Sequence, residues 1–242
     1  MMIANSSIYK RYKNTQKKIL ALQEINQVLL SRYETLEKTN NKNELLLDEI
    51  HHRIKNNLQF VSSLLHMRMR VSDNLETKQA LHESAVRLHS MLLVHQKLYS
   101  ENHYGFIDMT HYTNDLVHYL LQSYITIQHP IIPHIQVGAI QFNTDTVIPF
   151  GLLLTELITN SIKYAEPKEK KLHLNIELSP LQNGQYCLHY SDNGKGLSSP
   201  IDFENAKTMG FRLLYNLTKQ LKGTIHYEFN KNSIFKINFR SI

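Results

Sequence analysis

Apolar residues in the first hundred positions recur at the spacing of amphipathic helices. Between Glu44 and Arg70 they fall three or four positions apart, and a second such series runs from Thr77 to Tyr99. The polar sequence VSDNLE at 71–76 separates the two series and is typical of a short turn. The pattern therefore predicts a helical hairpin over residues 44–100. Because two helices alone cannot bury both apolar stripes, the hairpin is predicted to dimerise into a four-helix bundle.

Residues 1–43 follow a looser pattern. The apolar residues Ile8, Leu22, Leu29 and Leu36 are separated by seven positions or by multiples of seven. This spacing predicts an N-terminal helix that pairs with a copy of itself as a coiled coil, although charged residues occupy the other seam positions. The segment is too short for an ordinary sensor domain. We therefore expect either an upstream sensor protein that acts through this helix or a chain that is a fragment of a longer protein.

The pattern changes beyond residue 101. Short alternating or β-branched runs are now mixed with helical ones, and a Gln-Asn-Gly sequence between two of these runs predicts a β-hairpin. Helices mixed with mostly antiparallel strands indicate a layered α+β domain over residues 101–242. The predicted helices are 109–124, 145–164 and 210–221, and the predicted strands are a stretch up to 137, then 171–178, 185–191, 224–229 and 234–239.

Composition agrees with a helical first half and narrows the class of protein. No proline occurs before Pro130, and Gly105 is the only glycine before that point, so little in the first half can end a helix. The single cysteine, Cys187, excludes a disulfide framework and favours a reducing, cytoplasmic location. No apolar run is long enough to predict an integral membrane segment. The net charge of +6 lies entirely in residues 1–100, and the neutral remainder disfavours nucleic-acid binding.

Two adjacent histidines lie in the first predicted hairpin helix. Successive residues project about 100° apart around a helix, so His51 falls on the flank of the apolar stripe and His52 on the opposite, solvent-facing side. Glu49 and Asn56 share the outward face with His52. An exposed imidazole beside an acid and an amide can act as a nucleophile. The alternative is that His52, one of 14 histidines, is only a solvated side chain.

A polar stripe runs along the predicted helix 145–164. Glu156 and Asn160 are four residues apart and Lys163 is three further on, which places them on one face. An amide oxygen is a suitable ligand for Mg²⁺, a carboxylate can orient metal-bound water, and a lysine can contact a phosphate. By itself the stripe is equally typical of a buried helix with one polar face.

Glycines mark two further motifs. In Asp-Asn-Gly-Lys-Gly, Asp192 follows a predicted strand and can accept a hydrogen bond from an exocyclic amine, while Gly194 and Gly196 allow close approach of the backbone. Gly210 opens a predicted helix, where free N–H groups favour a phosphate. The polar segment between Gly196 and Gly210 is predicted to form a mobile lid. The alternative for each motif is an ordinary turn.

Together these four blocks resemble the motifs of the sensor histidine kinases. EIHHRIKNNLQ at 49–59 is similar to the phospho-acceptor box of the HWE-related subfamily, and 154–165 is similar to the N box. The segments 192–196 and 209–214 resemble the first and second glycine boxes. The resemblance covers roughly residues 44–240 and implies a helical-hairpin dimerisation domain followed by an α/β-sandwich ATP-binding domain.

The resemblance also implies roles for the candidate residues. His52 would be phosphorylated, Asn160 would hold Mg²⁺ with Glu156 supporting it, Lys163 would approach the phosphates, and Asp192 would bind the adenine amino group. The glycines implied to shape the pocket and its lid are Gly194, Gly196 and Gly210. The identity of the base that assists His52 stays open between Glu49 and Asn56, because Arg53 stands where the commonest histidine kinases have an acid.

The implied function is an ATP-dependent protein histidine kinase that works as a homodimer. It would autophosphorylate His52 and pass the phosphoryl group to an aspartate on a separate response-regulator receiver domain. One alternative is a phosphotransfer or scaffold protein with a degenerate ATP-binding domain, since the second glycine box has a single glycine. Another is an ATPase or chaperone that shares only the nucleotide domain.

Overall fold

In the structure, a computed structural model, the chain forms two compact units, Met1–Ile54 and Lys55–Ile242. The residues that the structure describes are 2–100, 105–124, 130–167, 171–197 and 201–242. The predicted division into domains at residues 43 and 100 stays a prediction.

A single long helix, α1, runs from Met2 to Val71. It crosses the predicted boundary at residue 43 without a break, because the polar stretch there contains neither Gly nor Pro. In the N-terminal unit the apolar side chains of Leu22, Leu29 and Leu36 are between 58% and 73% exposed. Such an exposed apolar series is the feature from which the coiled coil is predicted. The side chain of Ile8 lies outside the described part of the helix.

A three-residue turn after Val71 leads into α2, Leu75–Ser100. The side chain of Asn74 caps this helix, because its Oδ1 accepts a hydrogen bond of 3.0 Å from the N–H of Thr77. The predicted order of helix, turn and helix is confirmed, with α2 beginning two residues earlier than the apolar pattern indicated.

The rest of the chain forms a layered domain whose main sheet has five strands. The strands are β2 Ile131–Val137, β4 Leu172–Pro180, β5 Gln185–Asp192, β6 Thr224–Asn230 and β7 Asn232–Arg240. Their order in the sheet is β2-β4-β5-β7-β6, with β2 parallel to β4 and the other pairs antiparallel. The helices are α3 Met109–Ser123, α4 Thr144–Tyr164 and α5 Met209–Gln220. These bounds confirm the predicted elements to within a few residues.

Two short strands, β1 Phe106–Asp108 and β3 Gln141–Asn143, pair with each other and were not predicted. Three residues are too few to display the alternation that identifies a strand in sequence. The turn between β4 and β5 was predicted, and its Asn183 and Gly184 both adopt positive φ angles, of 59° and 68°. Asn and Gly tolerate that conformation best.

One face of the sheet carries the core. In β4, Leu174, Ile176 and Leu178 are buried while Asn175 and Glu177 between them are exposed. The buried face packs against apolar side chains of α3, α4 and α5, so the domain has two layers. Helix α2 lies against α3 and α4 on the outside of the helical layer. This contact brings α2 to the polar face of α4, where the candidate site lies.

Candidate functional site

A cavity of about 780 Å³ opens beside the polar face of α4. Its walls come from α2, α4, the end of β5, the loop before α5, the start of α5, and β7. Most of the nucleotide-binding residues predicted from sequence line this one cavity, namely Glu156, Asn160, Lys163, Asp192, Gly196 and Gly210. Tertiary structure thus gathers residues from three motifs that are far apart in the chain.

The start of α5 lies directly against two of the polar residues of α4. A Cβ atom built on Gly210 would be 3.4 Å from Oε2 of Glu156 and 3.8 Å from the side-chain amide of Asn160. Glu156 is only 2% exposed, whereas Asn160 is half-buried. A carboxylate and an amide therefore lie beside a helix N-terminus, which is a favourable place for a phosphate with its cation.

Asp192 ends β5 on the face that points toward the helices. Its Oδ2 accepts a hydrogen bond of 2.6 Å from the hydroxyl of Ser161, and its Oδ1 accepts one of 2.9 Å from the N–H of Gly194. Burial raises the pKa of Asp192, and hydrogen bonds from Ser161, Ser233 and Gly194 partly oppose that rise. The result is a buried, firmly positioned acceptor in the cavity wall.

The two glycines of the first glycine box differ in their surroundings. A Cβ on Gly194 would lie 2.5 Å from the carbonyl oxygen of Ala165, which already accepts a 2.6 Å hydrogen bond from the N–H of Lys195. Gly194 thus lets the loop close against the end of α4 without lining the cavity. Gly196 adopts a positive φ of 74° and packs on the ring of Phe229, so a side chain is disfavoured there for both reasons.

Helix α2 contributes two charged residues that the sequence did not single out. Arg87 pairs with Glu156 through Nε and Oε1, and its Nη2 is 3.2 Å from Oε2. Glu83 pairs with Lys163 at 2.5 Å and lies 3.7 Å from Arg87. Burial lowers the pKa of Arg87, but the hydrogen bond and the charges of Glu156 and Glu83 outweigh it and raise the pKa above its ordinary value.

These four residues form an alternating charge network from α2 to α4. The network occupies Glu156 and Lys163, two of the residues predicted to serve Mg²⁺ and the phosphates. The spacing of Glu83 and Arg87, four residues apart, is a sequence signal for a charged helix face. It does not indicate which element that face contacts.

The candidate phosphorylation site lies on α1, in the N-terminal unit. His52 is exposed, as the helical geometry predicted, and the side chain of His51 lies outside the described part. Oε1 of Glu49 accepts a hydrogen bond of 2.7 Å from Nε of Arg53, and both side chains are well exposed. Asn56 is also exposed. The outward face of this helix is therefore accessible to a reactant.

Within the described residues, no group of three or more His, Cys, Asp or Glu side chains is arranged to hold a metal ion. A cation at Asn160 would therefore depend on phosphate oxygens for most of its ligands, which is how Mg²⁺ commonly binds with nucleotides. Both carboxylate oxygens of Glu156 contact Arg87, so Glu156 would support the cation from beside it. The amide oxygen of Asn160 is a hard ligand of the kind that Mg²⁺ prefers. The same described part of the chain has no helix with the length and apolarity needed to cross a membrane.

Comparison with known proteins confirms the predicted resemblance. Residues 49–124 match the family model HisKA_2, described as a histidine kinase. The chain is 29% identical over 181 residues to the sensor histidine kinase PdtaS of Mycolicibacterium smegmatis, a match that covers 73% of this chain and 35% of that protein. It is 22% identical over 180 residues to blue-light-activated histidine kinase 2 of Erythrobacter litoralis, covering 72% of this chain and 51% of that one.

Solved structures show the same fold. The histidine kinase domain of the Erythrobacter litoralis EL346 blue-light activated histidine kinase superposes with a TM-score of 0.61 at 19% identity, over 81% of this chain and 90% of that one. The predicted arrangement of a helical hairpin followed by a mixed α/β domain is thereby confirmed. The chain spans about a third of the length of the PdtaS relative that it matches.

Proposed function

Because this chain is a relative of the sensor histidine kinases, we propose that it is an ATP-dependent protein histidine kinase that autophosphorylates His52. The observation that carries the proposal is the cavity beside α4. It brings Asp192, Asn160 and Gly210, which come from three separate motifs, to a single site large enough for a nucleotide. A reducing, cytoplasmic location is part of the proposal, because ATP is its substrate.

Each part of the nucleotide has a matching group in the cavity. The carboxylate of Asp192 accepts a hydrogen bond from the exocyclic amine of adenine, and the side chains of Leu157 and Phe235 form an apolar wall for the base. Lys163 and the N-terminus of α5 bind the phosphates. Asn160 would hold Mg²⁺ with Glu156 supporting it, and the ion would supply positive charge that neutralises the charge developing on the transferring phosphoryl group.

In the proposed reaction an imidazole nitrogen of His52 attacks the γ-phosphorus in line. A nitrogen–phosphorus bond forms as the bond from the γ-phosphorus to the bridging oxygen breaks, and ADP leaves. Glu49, three residues before His52 on the same helix, accepts the proton of the ring. Its Oε1 accepts from Arg53, so Oε2 is the oxygen proposed for that role. Asn56 is the alternative; its amide would orient the ring, and the ring proton would then pass to water because an amide does not take up a proton.

The phosphoryl group then passes from His52 to an aspartate on the receiver domain of a response regulator. We further propose a homodimer in which the exposed apolar residues of α1 pair with a second copy. Leu22, Leu29 and Leu36 support this because they are all more than half exposed in the single chain.

The decisive experiment is incubation of the chain with γ-labelled ATP and Mg²⁺. We expect label that is stable in base and labile in acid, as a phosphohistidine is. Substitution His52→Ala should abolish the label, and the adjacent His51→Ala is the matched control that should retain it. Label that persists in His52→Ala would exclude this residue as the phospho-acceptor.

A second candidate is a phosphotransfer or scaffold protein that does not use ATP. The ion pairs from α2 favour this candidate, because they occupy Glu156 and Lys163, two side chains that ATP binding would use. Calorimetric titration with Mg²⁺ and a non-hydrolysable ATP analogue separates the two, since a scaffold should release no binding heat.

A further inference from the structure

The aspartate proposed to bind adenine is the last of three buried polar side chains joined by hydrogen bonds. Tyr190 and Asp192 are two residues apart on β5, so both point from the same face of the strand toward α4. Ser161 on α4 lies between them. The hydroxyl oxygens of Tyr190 and Ser161 are 2.7 Å apart, and that of Ser161 is 2.6 Å from Oδ2 of Asp192. Tyr190 is fully buried and Ser161 is 5% exposed.

The direction of the hydrogen bonds follows from the donors available. An ionised carboxylate only accepts, and a serine hydroxyl has a single proton. Ser161 therefore gives its proton to Asp192, and Tyr190 must donate to Ser161. Burial, together with the charge of Asp192, raises the pKa of Tyr190 well above its ordinary value, so this phenol keeps its proton. The chain thus runs one way, from Tyr190 through Ser161 to Asp192.

This arrangement has a consequence for ligand recognition. Burial favours the protonated form of Asp192, and a protonated carboxyl would present a donor to the cavity. The hydrogen bond from Ser161 supports the ionised form and fixes the carboxylate plane. An ionised, fixed carboxylate accepts from an amine and repels a carbonyl oxygen at the same position.

We propose that Ser161, supported by Tyr190, is a positioning residue that makes the cavity selective for a purine with an exocyclic amine over one with a carbonyl group. The proposal rests on the function proposed above. It adds to that function two residues, Ser161 in the cavity wall and Tyr190 behind it. They act on the base through Asp192.

The test compares the binding of ATP and inosine triphosphate, which carries a carbonyl group where adenine has its amine. Removing the serine hydroxyl in Ser161→Ala should lower the ratio of the two affinities by about tenfold, the effect of losing one buried hydrogen bond to a charged group. Tyr190→Phe should lower the ratio by a smaller factor, about threefold, because Ser161 can still donate.

Thr155→Val is the matched control. Thr155 is a fully buried residue of the same helix whose hydroxyl donates to the carbonyl of Gly151 and does not line the cavity. Its hydroxyl can be removed without touching Asp192, so the ratio of affinities should stay at the wild-type value. A general disturbance of α4 would instead change the ratio of affinities equally in Thr155→Val and Ser161→Ala.

The outcomes are distinguishable. If the wild type binds neither nucleotide, the proposed kinase function fails. If the wild type prefers ATP and Ser161→Ala keeps that preference, the positioning role is overturned while ATP binding stands. Loss of the preference in Thr155→Val would also overturn it. If Ser161→Ala does not fold, Tyr190→Phe decides: an unchanged ratio contradicts the proposal and a reduced ratio supports it.

Discussion

The ion pair between Arg87 and Glu156 offers the sharpest test of how α2 is attached to α4. In Arg87→Met the carboxylate of Glu156, 2% exposed, would stay buried with its partner removed. Loss of one partner from a fully buried pair costs about 3–5 kcal/mol. Because the Arg87 side chain is 21% exposed, we expect a smaller loss of unfolding free energy, about 2–3 kcal/mol.

Urea denaturation followed by near-ultraviolet circular dichroism suits this measurement. The chain has no tryptophan, so the signal comes mainly from tyrosines such as the fully buried Tyr112 and Tyr190. The double variant Arg87→Met with Glu156→Gln removes the buried charge together with its partner. Its loss of unfolding free energy should be about 2 kcal/mol smaller than the sum of the losses in Arg87→Met and Glu156→Gln.

A matched control is available on the same helix. Lys97 of α2 pairs with Asp115 of α3 at 2.7 Å, and the Asp115 side chain is 49% exposed. Asp115→Asn should therefore cost less than about 1 kcal/mol. A loss of stability in Arg87→Met no larger than that in Asp115→Asn would show that the buried Glu156 carboxylate does not depend on Arg87. A double variant with no recovery of stability would show the same.

Three further predictions concern the cavity and its loop. Because burial raises the pKa of Asp192, acidification should protonate its carboxylate at a higher pH than an ordinary aspartate and so reduce ATP affinity relative to inosine triphosphate, measured by calorimetry. Glu83→Gln should tighten ATP binding about fivefold, because Lys163 no longer shares its charge with a carboxylate. Gly194→Ala should cost about 2 kcal/mol or more in urea denaturation, because its methyl group would overlap the carbonyl of Ala165.

Each of these has its own control. A constant ratio of affinities across the pH range would contradict the titration of Asp192. Asp115→Asn breaks an ion pair of α2 that does not line the cavity, so an equal gain in ATP affinity there would exclude release of Lys163 as the cause. Gly138→Ala, where an added methyl meets only ordinary contacts at 3.8 Å or more, should change stability by less than about 0.5 kcal/mol.

Much of the secondary structure could be predicted because each element displays its own period. The apolar spacing along α4 and the alternation along β4 reflect which face of each is buried, and burial of one face is a local property of the sequence. The strands β1 and β3 were missed because three residues carry no period. The parallel pairing of β2 with β4 was not predicted either, since the order of strands depends on contacts that are distant in sequence.

By itself, the sequence determined the chemistry available at each motif: the acid, amide and lysine on one helix face, the aspartate at a strand end, and the glycine that opens a helix. Only the tertiary structure decided what surrounds them. From the sequence alone Glu83 and Arg87 form one charged face of α2. In the fold Glu83 pairs with Lys163, and Arg87 pairs with Glu156. From the sequence alone Ser161 and Tyr190 are ordinary core residues; in the fold Tyr190 donates to Ser161, and Ser161 donates to Asp192. Sequence periodicity specifies which face of an element is buried, but the partner of that face is fixed by long-range packing.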